Sequence, residues 1–458
     1  MKKRLLLPFS AVIFCTASAQ DLPGIRTSNY NGVQGVFSNP ANIAASPFRF
    51  DVNLFSLNAV AANDQASFSL KNFSSSFKGD DASDQIFGKD AGPANGMFQL
   101  DVRGPSVMFN VGKKNSFAIT TRARMMANVQ NIDGKLFDKI SDDFTNDPSL
   151  PYTLSSNHDM RLALNAWTEF GASYGRVIAN KGPHFLKGGI TLKYLAGAGN
   201  GYINIDQFNG TINQSVVMQD VFLENTTGRI ATGFGGIQLS ESEAGDIFSM
   251  NSSGFGTDIG FVYEFRPTAA GSRNYLLKFG AALLDIGSIK YDKDLQRSGA
   301  YNMHIEGSEK LSLEDLGDID VDDYNAFFEA RPSLFTPDHS NANTSYKVSL
   351  PTTLQLEADY HVASGLYMNL SSQIALSKNK SKGFNSYAYS GLTFTPRFEV
   401  KKVGVYLPVN YNTLTSLNAG AAFRLGPMFV GSGSILSALI GDSKQADVYF
   451  GFRFGGMK

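Results

Sequence analysis

Cysteine is almost missing from this chain: Cys15 is the only one in 458 residues. It falls in a leader expected to be removed, so the mature protein is expected to form no disulfide and to use no thiolate nucleophile or cysteine metal ligand. Tryptophan is as scarce, with a single residue. No run rich in Pro, Ser or charge divides the chain, although its length would suit two or three soluble domains. No apolar run reaches the roughly 18 residues that a spanning helix needs. Loss of Lys2, Lys3 and Arg4 with the leader takes the 40 basic residues to 37 against 41 acidic ones, a net charge of about −4. That balance excludes the basic footprint of a nucleic-acid binder. The five histidines, His158, His184, His304, His339 and His361, are scattered, and none stands at metal-ligand spacing from another.

What is present begins with Lys2-Lys3-Arg4, the apolar stretch from Leu5 to Cys15 broken by Pro8, and Ala17-Ser18-Ala19 before Gln20. A charged head, a short apolar middle and a small-residue cleavage site predict a signal peptide over residues 1–19. Beyond it the chain carries 36 Phe, 18 Tyr and 45 Gly. Aromatics spread over many short alternating segments are what the two girdles of a membrane barrel require.

The last such segment shows the pattern best. Val448, Phe450, Phe452 and Phe454 fall on one face of a strand, and Tyr449, Gly451 and Arg453 on the other. One face suits lipid and the other a wet lumen, and only helices and edgeless sheets survive in lipid. Similar segments recur from Phe48 onward, joined alternately by short and long connections. A barrel with both termini in the periplasm has this asymmetry of turns. The segments predict an all-β fold: a transmembrane antiparallel β-barrel of about 14 strands over residues 48–458. Long outer loops are expected near 74–95, 130–157, 197–253 and 292–345, with 197–253 either a loop or a strand extension. Alternation alone also suits a secreted soluble β protein, so that reading stays open.

In the strand expected from Phe117 to Val129, Arg122 and Arg124 fall on the lumen side, as do Arg103 and Arg453 in theirs. They could attract an anionic solute or a head group. The structural alternative is pairing with lumen carboxylates such as Asp101 and Glu169, and it is favoured because a buried guanidinium needs partners first. The acidic run Glu314, Asp315, Asp318, Asp320, Asp322 and Asp323 lacks the regular spacing of a calcium loop and reads as a solvated outer segment. Its neighbours Tyr324, Phe327, Phe328 and Phe335 need a partner or a place in the barrel mouth. Gly197-Ala198-Gly199-Asn200-Gly201 opens no helix, so it is not a phosphate loop.

Just inside the mature N-terminus stands Gly35-Val36-Phe37-Ser38-Asn39-Pro40-Ala41-Asn42-Ile43-Ala44. Asn39-Pro40 makes a good turn on physical grounds, and an ordinary surface turn leading into a strand is the plain reading. The segment also resembles the Asn-Pro-Ala motif of the long-chain fatty-acid transporter family of outer-membrane barrels. Related secretion-associated barrels share its placement. Only Asn39, Pro40 and Ala41 match; where the family continues Gly-Leu-Ala, this chain has Asn42-Ile43-Ala44. Asp258-Ile259-Gly260 resembles the Asp-x-Gly strand common in such barrels. The resemblance implies 14 strands and an N-terminal segment, residues 20–47, folded back as a hatch inside the lumen. It also implies passive uptake of a small hydrophobic or amphipathic solute; the rival reading is a structural or accessory subunit of an outer-membrane secretion or assembly complex. The expected partners are outer-membrane lipid, the outer-membrane assembly machinery acting on the terminal strand, and a hydrophobic small molecule or protein subunits. No cofactor, metal, nucleic acid or catalytic residue is expected.

Overall fold

The computed structural model describes residues 21–458 apart from 66, 70–92, 142, 143, 145, 157, 237–251, 268–274, 318, 320–322, 340–342 and 378–382. The expected leader, most of the loop near 74–95, and Asp318, Asp320 and Asp322 therefore lie outside the described residues.

Fourteen wall strands follow one another around a closed antiparallel sheet. The first half comprises β1 (Phe48–Asn63), β2 (Pro93–Arg103 and Ser106–Val111), β3 (Asn115–Asp133), β4 (Met160–Lys181), β5 (His184–Ser215), β6 (Ser252–Phe265) and β7 (Leu277–Asp292). The second half comprises β8 (Ser345–Ser349 and Thr353–Ala363), β9 (Leu366–Ala375), β10 (Gly391–Glu399), β11 (Val403–Tyr406 and Val409–Asn412), β12 (Ser416–Ala419 and Ala421–Leu425), β13 (Met428–Ser432) and β14 (Gln445–Met457). The ring closes where β1 pairs with β14, from Phe48 opposite Met457 to Ala62 opposite Gln445. With no free edge, every ladder group has a neighbour to bond.

The wall is inside-out relative to a water-soluble protein. Val448, Phe450, Phe452 and Phe454 are exposed, while Tyr449 and Arg453 are buried toward the lumen. In β3, Ile119 is 60% exposed while Arg122 and Arg124 are buried. An apolar outer face this continuous suits lipid and would be a large sticky patch in water. In β1 the alternation breaks: Asp51 and Asn53 face in, then Ser56 and Asn58, while Leu54 and Phe55 are both exposed. A register shift between Asn53 and Phe55 absorbs the extra residue, so a bulge keeps each side chain in its proper solvent. β2 is interrupted at Gly104-Pro105, because proline has no N–H for the ladder. There Asn53 Nδ2 donates to the carbonyls of Arg103 and Gly104 at 3.1 and 3.0 Å.

β1 stops at Asn63. β10 begins at Gly391, because the preceding residues turn into the lumen, where Ser349 N–H donates to Asn385 Oδ1 at 2.8 Å. The region after Gly197 is a strand extension: β5 has 32 residues, far beyond the roughly 9–11 that span a bilayer. Its outer half pairs with the strand Asp220–Gly236.

That hairpin organises an outer lobe. Asp220–Gly236 also pairs with Ala300–Ile305 and Leu311–Ser312. Short helices Gly134–Ser141, Leu313–Gly317 and Tyr324–Glu329 pack on it. Ile212, Leu223, Ile305, Leu313, Phe328 and Phe335 are buried together there. The aromatic residues of the acidic insertion thus find their partner in an apolar core outside the barrel, and the insertion is not simply a solvated loop.

Candidate functional site: the filled lumen

Residues 21–46 run through three short 3-10 turns, Ile25–Thr27, Gly32–Phe37 and Pro40–Ile43. Gly, Asn and Pro at their boundaries favour tight turns over a longer helix. The segment bonds to inward-facing side chains all around the ring. On β1, Val33 N–H donates to Asp51 Oδ1 at 2.8 Å, and Gln34 Nε2 to Asn53 Oδ1 at 2.7 Å and Ser56 Oγ at 2.6 Å. On β8, Gln355 Oε1 accepts from Arg26 Nη2 at 2.8 Å; on β10, Glu399 Oε2 accepts from Ser28 Oγ at 2.7 Å. On β14, the Tyr449 hydroxyl donates to the Pro23 carbonyl and Arg453 to that of Tyr30. Contacts on opposite walls place the segment inside the barrel. It adds no strand to the sheet; these bonds hold it together with apolar contacts, Leu22 and Ile25 packing with Tyr406, Phe429 and Tyr449, and Val33, Val36 and Ile43 with Phe48 and Met108.

Asn39 is extended, with φ −165°, and its Oδ1 accepts from Ala41 N–H at 2.9 Å, capping the Pro40–Ile43 turn. Its Nδ2 donates to the carbonyls of Phe261 and Ala281 at 3.1 and 3.3 Å. The turn sits in a niche that sequence reasoning missed. Gly175, Gly189, Gly260 and Ala282 lie side by side in register on β4, β5, β6 and β7. A Cβ on Gly189 would overlap the Pro40–Ala41 backbone, one on Gly260 the Asn39 carboxamide, and one on Gly175 would lie 2.7 Å from Ile43 Cγ1. Glycine is needed there because another backbone comes this close. The Asp258-x-Gly260 pattern was the one trace of this niche in the sequence.

Next to the turn lies a layer of buried charge. Arg122 makes a two-pronged contact to Asp101, at 2.8 and 2.7 Å, and Arg103 reaches the same carboxylate at 3.1 Å and also pairs with Asp21. Arg124 contacts Glu169 at 3.2 Å and Asp285 at 2.8 Å. Lys193 contacts Asp285 at 2.6 Å and Asp258 at 2.8 Å. Phe37 of the N-terminal segment lies 4.3 Å from the Arg103 guanidinium and 5.2 Å from that of Arg122, ring face to cation. Arg453 pairs with Asp51 at 2.7 Å. A second cluster joins Arg397 to Asp359 at 2.6 Å and to Glu399 at 3.3 Å. All four arginines singled out from sequence thus face the lumen with carboxylate partners. Lys193, Asp285, Arg397, Asp359 and Glu399 were not singled out. Asp285 sits at a bulge between Leu283 and Ile286 with φ +57°, so no period-2 count would have placed it.

Above the charge, toward the outer lobe, the lumen turns apolar. Met126, Trp167, Leu195, Ile289, Tyr291, Val348 and Leu350 are buried together, with Phe384 against them. Trp167 Nε1 donates to Glu169 Oε1 at 2.9 Å and so joins the two layers. A cavity of about 50 Å³ remains between Phe37, Arg122, Arg124 and Tyr389. A larger one of about 450 Å³ opens at the end with the short turns, lined by Asn29, Lys113, Lys187, Arg266 and Lys278.

Among the described residues no group of three or more His, Cys, Asp or Glu is placed to hold a metal ion. No described helix is long and apolar enough to cross a membrane.

The architecture is that of a closed 14-stranded antiparallel β-barrel. The chain belongs to a family of unknown function, DUF5723, whose model matches residues 40–433. Among curated proteins none matches. Among solved structures it is similar to the toluene transporter TbuX of Ralstonia pickettii, at 11% identity and TM-score 0.41 over 93% of this chain and 94% of that one. It is similar to a FadL homologue from Pseudomonas aeruginosa, at 10% identity and TM-score 0.43 over 96% and 97%. It is likewise similar to the toluene transporter TodX of P. putida, at 8% identity and TM-score 0.44 over 94% and 95%. Likenesses this remote assign no substrate.

Proposed function

We propose that the protein is an outer-membrane channel for small amphipathic solutes, closed at rest by its own N-terminal segment. The observation that carries this reading is how residues 21–46 are held: inside the lumen, by side-chain hydrogen bonds and ion pairs, without strand pairing. Side-chain contacts can be exchanged for contacts to water or solute, whereas a paired strand would have to leave the sheet. A solute crossing the lumen meets the apolar layer around Trp167 and then the charged layer around Arg122 and Asp101, which suits a molecule with an apolar body and a polar head. The outward aromatic band fits residence in lipid, and the leader and terminal strand fit export and recognition by the outer-membrane assembly machinery.

The experiment is a liposome-swelling assay with the full chain and small amphipathic solutes. Uptake should rise when Asn39→Ala weakens the seating of the segment. It should fall when a disulfide engineered between the segment and the wall locks it. Equal, solute-independent tightness in all three proteins would overturn the reading.

One observation favours the rival, a structural subunit of a larger complex. The outer lobe has its own core and ends in a hairpin tip where Val216, Val217 and Met218 are 59%, 96% and 73% exposed. Under that reading the lumen stays sealed, and deleting the tip releases a co-purifying partner without affecting swelling.

A further inference from the structure

A third cavity, of about 510 Å³, lies where the outer lobe meets the barrel rim, between the β5 hairpin, the outer ends of β7 and β8, and Phe384. Its lining has two chemical parts. Tyr202, Tyr346 and Phe384 form a nest of rings with centroids 5.3 to 5.8 Å apart, two of the three contacts edge to face. Arg229, Lys290, Lys293 and Lys347 supply cations, and among the described residues no carboxylate lines the cavity.

The cations are unequally compensated. Arg229 is held by Asp338 at 2.7 Å and Asp206 at 3.1 Å. Among the described residues Lys290 pairs with Asp292, at 3.7 Å, and both are exposed at the rim. The Lys293 and Lys347 ammonium groups make no ion pair or hydrogen bond among the described residues. Lys290 and Lys347 also stand directly opposite each other in the antiparallel ladder, an arrangement of like charges that destabilises a sheet unless an anion lies between them. Burial, and next the charge of Arg229, push the Lys293 ammonium below its ordinary value, as happens when a cation lacks a counter-ion.

We infer that this cavity binds an anion carried on a ring-bearing body, with the anionic group on Lys293, Lys347 and Lys290 and the ring against Tyr202, Tyr346 and Phe384. Lysines act as point charges for phosphate or carboxylate, and the ring nest supplies contact area that a bare anion cannot use. The site lies at the rim, where Tyr346 and Phe384 also touch the apolar layer of the lumen, but ligand binding there needs no transport, so its test stands or falls separately from the channel proposed above. The anion can reach it from solution or on the head group of an outer-leaflet lipid, because the chemistry is shared.

The test is calorimetric titration of the full-length protein, in non-ionic detergent, with phenyl phosphate and inorganic phosphate as probes. Phenyl phosphate should bind at least tenfold more tightly than inorganic phosphate, and its affinity should fall as salt is raised. Lys293→Gln with Lys347→Gln should weaken it by tenfold or more, whereas Lys293→Arg with Lys347→Arg should retain it. Tyr346→Leu should weaken phenyl phosphate but leave inorganic phosphate unchanged. Heat-modifiable gel migration confirms that each variant is folded. Equal affinity for the two probes, or no loss in the lysine-to-glutamine pair, would overturn the proposal. Doping the micelles with phosphatidic acid assigns the source: competition with phenyl phosphate supports a lipid head group, and absence of competition supports a soluble ligand at the same site.

Discussion

The N-terminal segment and the outer lobe both pack against the same barrel, yet they are held differently. The segment lies in the lumen, bonded to Asp51, Asn53, Gln355 and Glu399, and it also buries Leu22, Ile25, Val33, Val36 and Ile43 against apolar wall residues. The lobe lies beyond the rim, and Leu223, Ile305, Phe328 and Phe335 form its core. The difference follows from the solvent of each region. A barrel that gives its apolar side chains to lipid has mostly polar ones left to face inward, so anything placed inside must bond to them. The lobe stands in water, where burying apolar area is the available driving force. The polar contacts of the segment can therefore be exchanged for contacts to water or solute, whereas the apolar contacts of the lobe cannot.

Substitutions can break or sharpen this contrast. The largest effect is expected for Asp101→Ala, which leaves Arg103 and Arg122 facing each other without their shared carboxylate. Removing one partner from a buried ion pair costs roughly 3–5 kcal/mol, which should appear as a lowered temperature of heat-modifiable migration for the whole barrel. Phe328→Ala should cost a similar amount, about 3–4 kcal/mol, but confined to the lobe. Hydrogen exchange should rise over Ala300–Ile305 and Asp220–Gly236 while the barrel's gel shift stays put. If the barrel shift moves too, lobe and wall are one cooperative unit and the contrast fails.

Asn39→Ala removes a turn cap and two bonds to wall carbonyls. A loss of about 1–2 kcal/mol in segment seating is expected, read as faster proteolysis within residues 21–47 with barrel stability unchanged. Gly189→Ala should give the same protease phenotype by the opposite route, since its methyl group overlaps the Pro40 backbone. The smallest effect should come from His304→Ala, whose contact to Glu306 at 3.3 Å is exposed on both sides. Such pairs contribute about 0–1 kcal/mol, so thermal stability should not move measurably.

The number of wall strands was legible because each spanning segment must alternate on its own, whatever its neighbours do. Phe450 and Arg453 declare their faces from spacing alone. The exceptions sit where the spacing is interrupted. The shift between Asn53 and Phe55 and the bulge at Asp285 each change which face the next residue takes, and a period-2 count cannot place an unpaired residue. The turn of residues 384–390 into the lumen was hidden for another reason: its Tyr387 and Asn385 bond to Asn128 and Ser349, each distant in sequence. The glycine row behind Asn39 was invisible because its members are far apart in sequence and align only through strand register.

What the sequence determined by itself is the class of solvent on each face of each strand. That information is local, carried by neighbouring residues of opposite polarity, and it suffices for a closed barrel of this size. The tertiary structure alone decided what fills the barrel and what stands above it. Those choices depend on which inward carboxylate meets which arginine across the ring, where Gly175, Gly189 and Gly260 fall into line, and which aromatic residues of separate loops share one core. Each is a contact between residues that only closure of the sheet brings together, so no stretch of the chain contains it.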